Sequence, residues 1–120
     1  MGRPALDDRT LAAVEIAVNA AQDKQADNIV VMDMRVIFPI TDYFIVMSAA
    51  NTRKICAIAS NIEEEIAKTG LKPYMREGTA ESAWVLLDYI DFVIHIFRTE
   101  ERDFYRIEQL WKEAPLVKLT

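Results

Sequence analysis

His95 is the only histidine of the 120-residue chain, and it closes the stretch WVLLDYIDFVIHIF, residues 84–97, in which Asp88 and Asp91 precede it. A histidine with carboxylates in hydrogen-bond reach is the raw material of general acid–base catalysis. Asp33 and Asp42 flank a loop and are the type of pair that can hold magnesium, while Cys56 is the one thiol. None of these completes a catalytic constellation. Side chains alternate along strands, which leaves His95 between aliphatic neighbours with Asp91 displaced to a turn. No G-x-S-x-G elbow, P-loop, G-x-G-x-x-G or H-E-x-x-H occurs. One histidine and one cysteine on different elements leave only carboxylates for a metal shell, so Asp33 and Asp42 read as turn chemistry and solvated charge. The expectation is no catalytic residue, no metal and no cofactor, with Cys56 as a small buried hydrophobe and His95 as a structural or contact residue.

Charge narrows the class of partner. Fourteen basic residues stand against 19 acidic ones, a net charge of -5 and a pI near 4.9, which disfavours broad binding to nucleic-acid phosphates and favours a basic protein surface. Direct DNA binding is not expected. About half of the residues are apolar, enough for one core and one domain over residues 1–120. The N-terminal MGRPALDDRT lacks an apolar signal core, no apolar run reaches membrane-spanning length, and the single cysteine excludes an internal disulfide. A cytoplasmic protein without a membrane partner is expected.

The elements that must position these residues follow from periodicity. From about Asp7 to Lys24, Leu11, Val14, Val18 and Ala21 recur at helical spacing, with Asp7 and Asp8 at the positive end of the helix dipole. NIVVMDM, 28–34, reads as a strand, RVIFPITD as a loop around Pro39, and YFIVMSA, 43–49, as a central strand covered on both faces. Asn51 is placed to cap a helix striped by Ile55, Ile58, Ile62 and Ile66 and closed by Gly70, with Glu63, Glu64 and Glu65 on its wet side. LKPYMREG is a short edge strand, because Pro73 cannot donate to a ladder. Thr99 is expected to cap a last helix, begun by TEER and carrying Phe104, Ile107, Leu110 and Trp111, that Pro115 terminates.

Between Trp84 and Phe97 two strands meet at DYID, a hairpin turned by Asp88 and Asp91. Trp84, Leu86 and Asp88 then share one face and Val85 and Leu87 the other, while Val93, His95 and Phe97 oppose Phe92, Ile94 and Ile96. Trp84 suits a core or a contact equally; Trp111 reads as core. Five strands and three helices predict an α/β (α+β) domain, a five-stranded mixed sheet covered by helices. Local pattern leaves the strand order open.

TDYFIVMSAANTRKICAIASNIEEEI, REGTAESAWVLLDYIDFVIHIF and RDFYRIEQLWKEAP together resemble the ribosome silencing factor, or Iojap-like, family over nearly the whole chain. The resemblance implies a translational repressor that binds the large ribosomal subunit at protein L-fourteen and sterically blocks the small subunit when nutrients are scarce. It also implies a nucleotidyltransferase-like core without activity; Met34 and Arg35 stand after NIVVMD where an active transferase has a second acid. By position, Trp84 becomes the anchor on the ribosomal protein, with Glu77 and Gly78 ahead of it and Asp88, Tyr89, Asp91 and His95 in or beside the surface. Two departures stand out: Ile90 replaces a glycine common in the hairpin turn, and SAAN at 48–51 replaces a Thr-Gly turn. An uncovered sheet face or edge would favour a homodimer. The alternatives are a large-subunit assembly factor and a residual nucleotidyltransferase enzyme.

Overall fold

Val14, Ala17, Val18 and Ala21 fall on one stripe of the first helix, and Ile55, Ile58, Ile62 and Ile66 on one stripe of the second; all are buried. Each stripe needs an apolar surface to cover, and one face of the sheet provides it. The computed structural model describes residues 8–38, 40–79 and 81–119. It places α1 at Asp8–Asp23, β1 at Asp27–Asp33, β2 at Tyr43–Ala49, α2 at Thr52–Ala67, β3 at Met75–Glu77, β4 at Trp84–Asp88, β5 at Phe92–Arg98, α3 at Thr99–Tyr105 and α4 at Ile107–Leu110. The expectations for Asp7 and Pro39 lie outside the described residues.

The five strands lie in the order β1-β2-β5-β4-β3, with β2 and β5 parallel and the other neighbours antiparallel. Parallel neighbours require a long crossover, and α2 with the β3 and β4 strands forms it. Every residue of β2 is buried, as an apolar strand with both faces covered requires. Tyr43, Ile45, Met47, Val85, Leu87, Ile94 and Ile96 face α1 and α2 in the larger core. On the reverse face a smaller core gathers Met32, Phe44, Val46 and Phe97 beneath Trp84, Ile107 and Trp111. It covers only part of that face.

The Asn51 cap is present, its Oδ1 accepting from the Lys54 N–H at 2.9 Å, and Gly70 follows α2 at φ +89°. The final helix departs from expectation. Arg106 takes a left-handed conformation, φ 49° and ψ 53°, which ends α3 and starts the single turn of α4. The break leaves Phe104 and Leu110 exposed and lets Ile107 and Trp111 pack on the smaller core. Thr99 does not cap: Arg98 holds that position without a side-chain bond, and the Thr99 hydroxyl donates to Ala49 O at 3.2 Å. Arg102 is not a solvated end of TEER but is buried, donating to Ser48 Oγ, Asp27 O and Glu108 Oε2. It pins α3 to the sheet.

Pro115 ends no helix, since α4 stops at Leu110. Instead the chain there runs along β1, with Asp33 N donating to Pro115 O and Val117 N to Val31 O, each at 2.8 Å. One edge of the sheet is thereby closed, while β3 forms the other. Its three residues are exposed, the edge placement that Pro73 predicts.

Candidate functional site

The reverse face of the sheet is bare over β3, β4 and the far half of β5, because α3 and α4 stop short of it. Strand alternation aims Glu77, Trp84, Leu86, Asp88, Val93 and His95 at this side. A groove of about 570 Å³ runs across it, floored by Leu86, Val93 and His95 and rimmed by Ile40, Tyr74, Met75 and Ile90. These four rim residues are exposed apolar side chains, and a contiguous patch of that kind marks an interaction surface. Glu77 and Asp88 also line the groove, and among the described residues no lysine or arginine does.

Trp84 sits at the end of this face, half-buried, with its ring 4.7 Å from Phe97, 5.1 Å from Tyr105 and 5.9 Å from His95 between centroids. Its Nε1 donates to His95 Nδ1 at 3.3 Å. An indole N–H only donates, so Nδ1 of His95 accepts and the ring proton of neutral His95 resides on Nε2. That Nε2 is buried and has no partner among the described residues. Burial lowers the His95 pKa to about 4, so the ring is neutral at physiological pH.

The hairpin turn is tight. Asp91 N donates to Tyr89 O at 2.9 Å around Ile90, whose φ is 74°, and Asp88 Oδ1 accepts from Ile90 N at 2.7 Å. This is a γ-turn with positive φ, which places a β-branched residue in a conformation that glycine adopts at less cost. Gly78, at φ +102°, lies so close to β4 that an added Cβ would stand 2.8 Å from Trp84 O. Glycine is required there for backbone approach, which fixes β3 against Trp84.

Of the residues singled out in the sequence, the structure brings Glu77, Trp84, Asp88 and His95 onto one face, with Gly78 supporting it. Tyr89 and Asp91 go elsewhere. Tyr89 is buried in the larger core, stacked on Phe92 at 4.9 Å, and burial pushes its hydroxyl to about 12. Asp91 and Tyr89 instead border a depression beside Arg9 and Thr10 of α1. Tyr89 directly follows β4, and its side chain continues the alternation to the helix side. Ile40, Tyr74 and Met75 join the face although the strand pattern did not select them; the signal was three large apolar residues outside any core stripe.

Two other expectations are corrected or reassigned. Cys56 is not a core residue: it is half-buried and lines a shallow depression on the outer side of α2 with Arg53 and Ser60. Asp33 is engaged by Arg35 in a two-pronged pair, Nε to Oδ1 at 2.9 Å and Nη2 to Oδ2 at 2.7 Å, and hydrogen bonding to Arg35 holds its carboxyl below the usual range. Among the described residues no group of three or more histidine, cysteine or acidic side chains is arranged to hold a metal. His95 has an aromatic surround and a tryptophan donor rather than a carboxylate on its ring.

Comparison with known proteins gives this face its context. The family profile described as "Ribosomal silencing factor during starvation" matches residues 7–120.

The chain belongs to the ribosomal silencing factor family.

It is 37% identical over 106 residues to the ribosomal silencing factor RsfS of Bacillus subtilis, covering 88% of this chain and 90% of that one. A crystal structure from Bacillus halodurans superposes with a TM-score of 0.79 at 32% identity, over 90% of this chain and 98% of that one. A mouse protein named for mitochondrial assembly of the ribosomal large subunit is 28% identical over 82% of this chain, which spans 44% of its length. The mixed five-stranded sheet with helices is thus the silencing-factor fold. Among the described residues no helix is long and apolar enough to cross a membrane.

Proposed function

We propose that this silencing factor docks its Trp84 face on a basic protein of the large ribosomal subunit, protein L-fourteen, and by its bulk keeps the small subunit from joining. The observation that carries this reading is the bare sheet face: an aromatic anchor, an apolar groove and two carboxylates with no cation between them among the described residues. An interface core excludes water around such anchors, and complementary charge orients the approach. An overall charge of -5 favours a basic protein over ribosomal RNA as the contacted surface. The site of action is the cytoplasm, where translating ribosomes are, and the role is steric rather than enzymatic.

The test is sedimentation of purified large and small subunits, at a magnesium concentration that supports joining, with and without the protein. Co-migration with the large subunit and a smaller joined-ribosome peak are expected. Protein left at the top of the gradient would overturn the reading.

The name of the mouse relative favours a second reading, in which the same face rides on the large subunit during assembly. Depletion separates the two: accumulation of immature large subunits supports assembly, whereas normal subunits with unrestrained joining support silencing. A residual nucleotidyltransferase would need a nucleotide and magnesium, yet Asp33 is committed to Arg35. A nucleotide-dependent rise in melting temperature would revive that activity.

A further inference from the structure

The chain has five methionines, and the fold sorts them. Met32, Met34 and Met47 are 1%, 0% and 0% exposed in the two cores, whereas Met75 is 41% exposed. Met1 lies outside the described residues. A thioether is oxidised only where a peroxide can reach it, so exposure decides which sulfur reacts first. Among the described residues Met75 is the accessible methionine.

Its place gives that reaction a consequence. Met75 begins β3, an edge strand whose residues are all exposed, and lines the groove with Ile40, Tyr74 and Ile90 above Leu86 and Val93. Its cross-strand partner is Asp88, and Glu77 follows on the same side of the strand. A thioether suits such a wall because it is apolar and adaptable. A sulfoxide does not, since its polar oxygen stands among apolar side chains and beside two carboxylates, and among the described residues no lysine or arginine lines the groove to offset it. Water satisfies that oxygen in the free chain, and a partner closing over the groove strips the water away.

We propose that Met75 is a redox modification site, oxidised by hydrogen peroxide to the sulfoxide, and that this reversible change releases the face from whatever covers it. The sulfur lone pair attacks one peroxide oxygen, an S–O bond forms as the O–O bond breaks, and the proton on the transferred oxygen passes through solvent to the departing hydroxide, which leaves as water. Sulfur loses two electrons and the peroxide gains them. A methionine sulfoxide reductase supplied with a dithiol reverses the step, the oxygen leaving as water while the dithiol becomes a disulfide. Because Met75 is exposed on an edge strand, the fold accepts the extra oxygen and the loss falls on docking. The inference rests on the docking reading above and adds its regulation. By linkage, a docked partner shields Met75 from peroxide as much as oxidation weakens the partner.

The experiment treats the full chain with dilute hydrogen peroxide, follows the oxidation of each methionine by peptide mass, and measures affinity for purified large ribosomal subunits before and after. Met75 should gain one oxygen well before Met32, Met34 and Met47, and more slowly when the subunits are present. Affinity should then fall about tenfold at unchanged melting temperature and return after treatment with the reductase and dithiothreitol. Cys56, half-buried on the outer side of α2, also reacts with peroxide, so Met75→Leu, which keeps an apolar side chain without the sulfur, should bind as the parent does and keep its affinity after peroxide. Met75→Gln sets a permanent polar group there and should bind weakly without peroxide. If Met75→Leu loses affinity as the parent does, or if oxidised Met75 leaves affinity unchanged, the inference falls while the docking reading stands. Core methionines oxidised as fast as Met75 would also overturn it. If the untreated parent does not bind, both fall together.

Discussion

Trp84 and His95 are held together by a single directed bond, indole Nε1 to imidazole Nδ1 at 3.3 Å, between neighbouring strands of one hairpin. The bond fixes the tautomer of His95 and the tilt of the tryptophan at once. Protonating His95 at Nδ1 would remove the acceptor and bury a charge.

That coupling predicts a pH dependence. His95 has a pKa of about 4 in the folded chain against 6.5 unperturbed, so between these values the unfolded state binds the extra proton. Stability from this group is complete above pH 6.5 and is lost as pH falls toward 4, by about 3 kcal/mol in all. Melting temperature against pH should show the decline in the parent, and His95→Phe should flatten it.

Trp84→Phe separates anchoring from folding. Phenylalanine keeps ring contact with Phe97 and Tyr105 but loses the donor and part of the buried area. Large-subunit affinity should fall about tenfold, roughly 1.4 kcal/mol, with a smaller change in urea midpoint. Equal affinity would remove Trp84 from the docking surface.

Ile90 carries strain that glycine would relieve. At φ 74° a β-branched residue costs on the order of 1–2 kcal/mol, part of which glycine returns through the entropy of the unfolded chain. Ile90→Gly should stabilise the protein by about 1 kcal/mol in urea unfolding. An unchanged or lower midpoint would show that Ile90 repays its strain by packing on the rim of the groove.

Gly78 is the opposite case. With φ +102° and a Cβ position 2.8 Å from Trp84 O, Gly78→Ala should cost roughly 1–3 kcal/mol, read as a lower urea midpoint. Because the clash falls on β4, the variant should also shift the fluorescence of Trp84. A neutral substitution would mean that β3 yields easily.

Much of this was legible in the sequence. Periodicity set α1, α2, β2 and the hairpin at DYID, since their burial is local and repetitive, and Pro73 marked the edge strand. The end of the chain was not legible. The left-handed Arg106 has no glycine to announce it, and the helix breaks so that Trp111 can reach the smaller core and Arg102 can reach Ser48, both distant in sequence. The site divided in the same way. Alternation put Trp84 and Asp88 on one face, and the resemblance, not the alternation, added His95; Ile40, Tyr74 and Met75 join them through strand order, which no local pattern encodes. Tyr89 was taken with the surface on the family resemblance of LLDY, and the alternation turns it inward.

The segment that runs along β1 gives the sheet a direction of growth. With Pro115 and Val117 bonded to that strand, the β1 edge is occupied at Val31 and Asp33, while among the described residues the outer edge of β3 carries no further strand, so strand-to-strand pairing between copies is favoured at the β3 end. Pairing confined to that end would stop at two copies rather than extend strand by strand. Residues 115–117 shield the last part of β1, and removing them would expose a second edge to pairing.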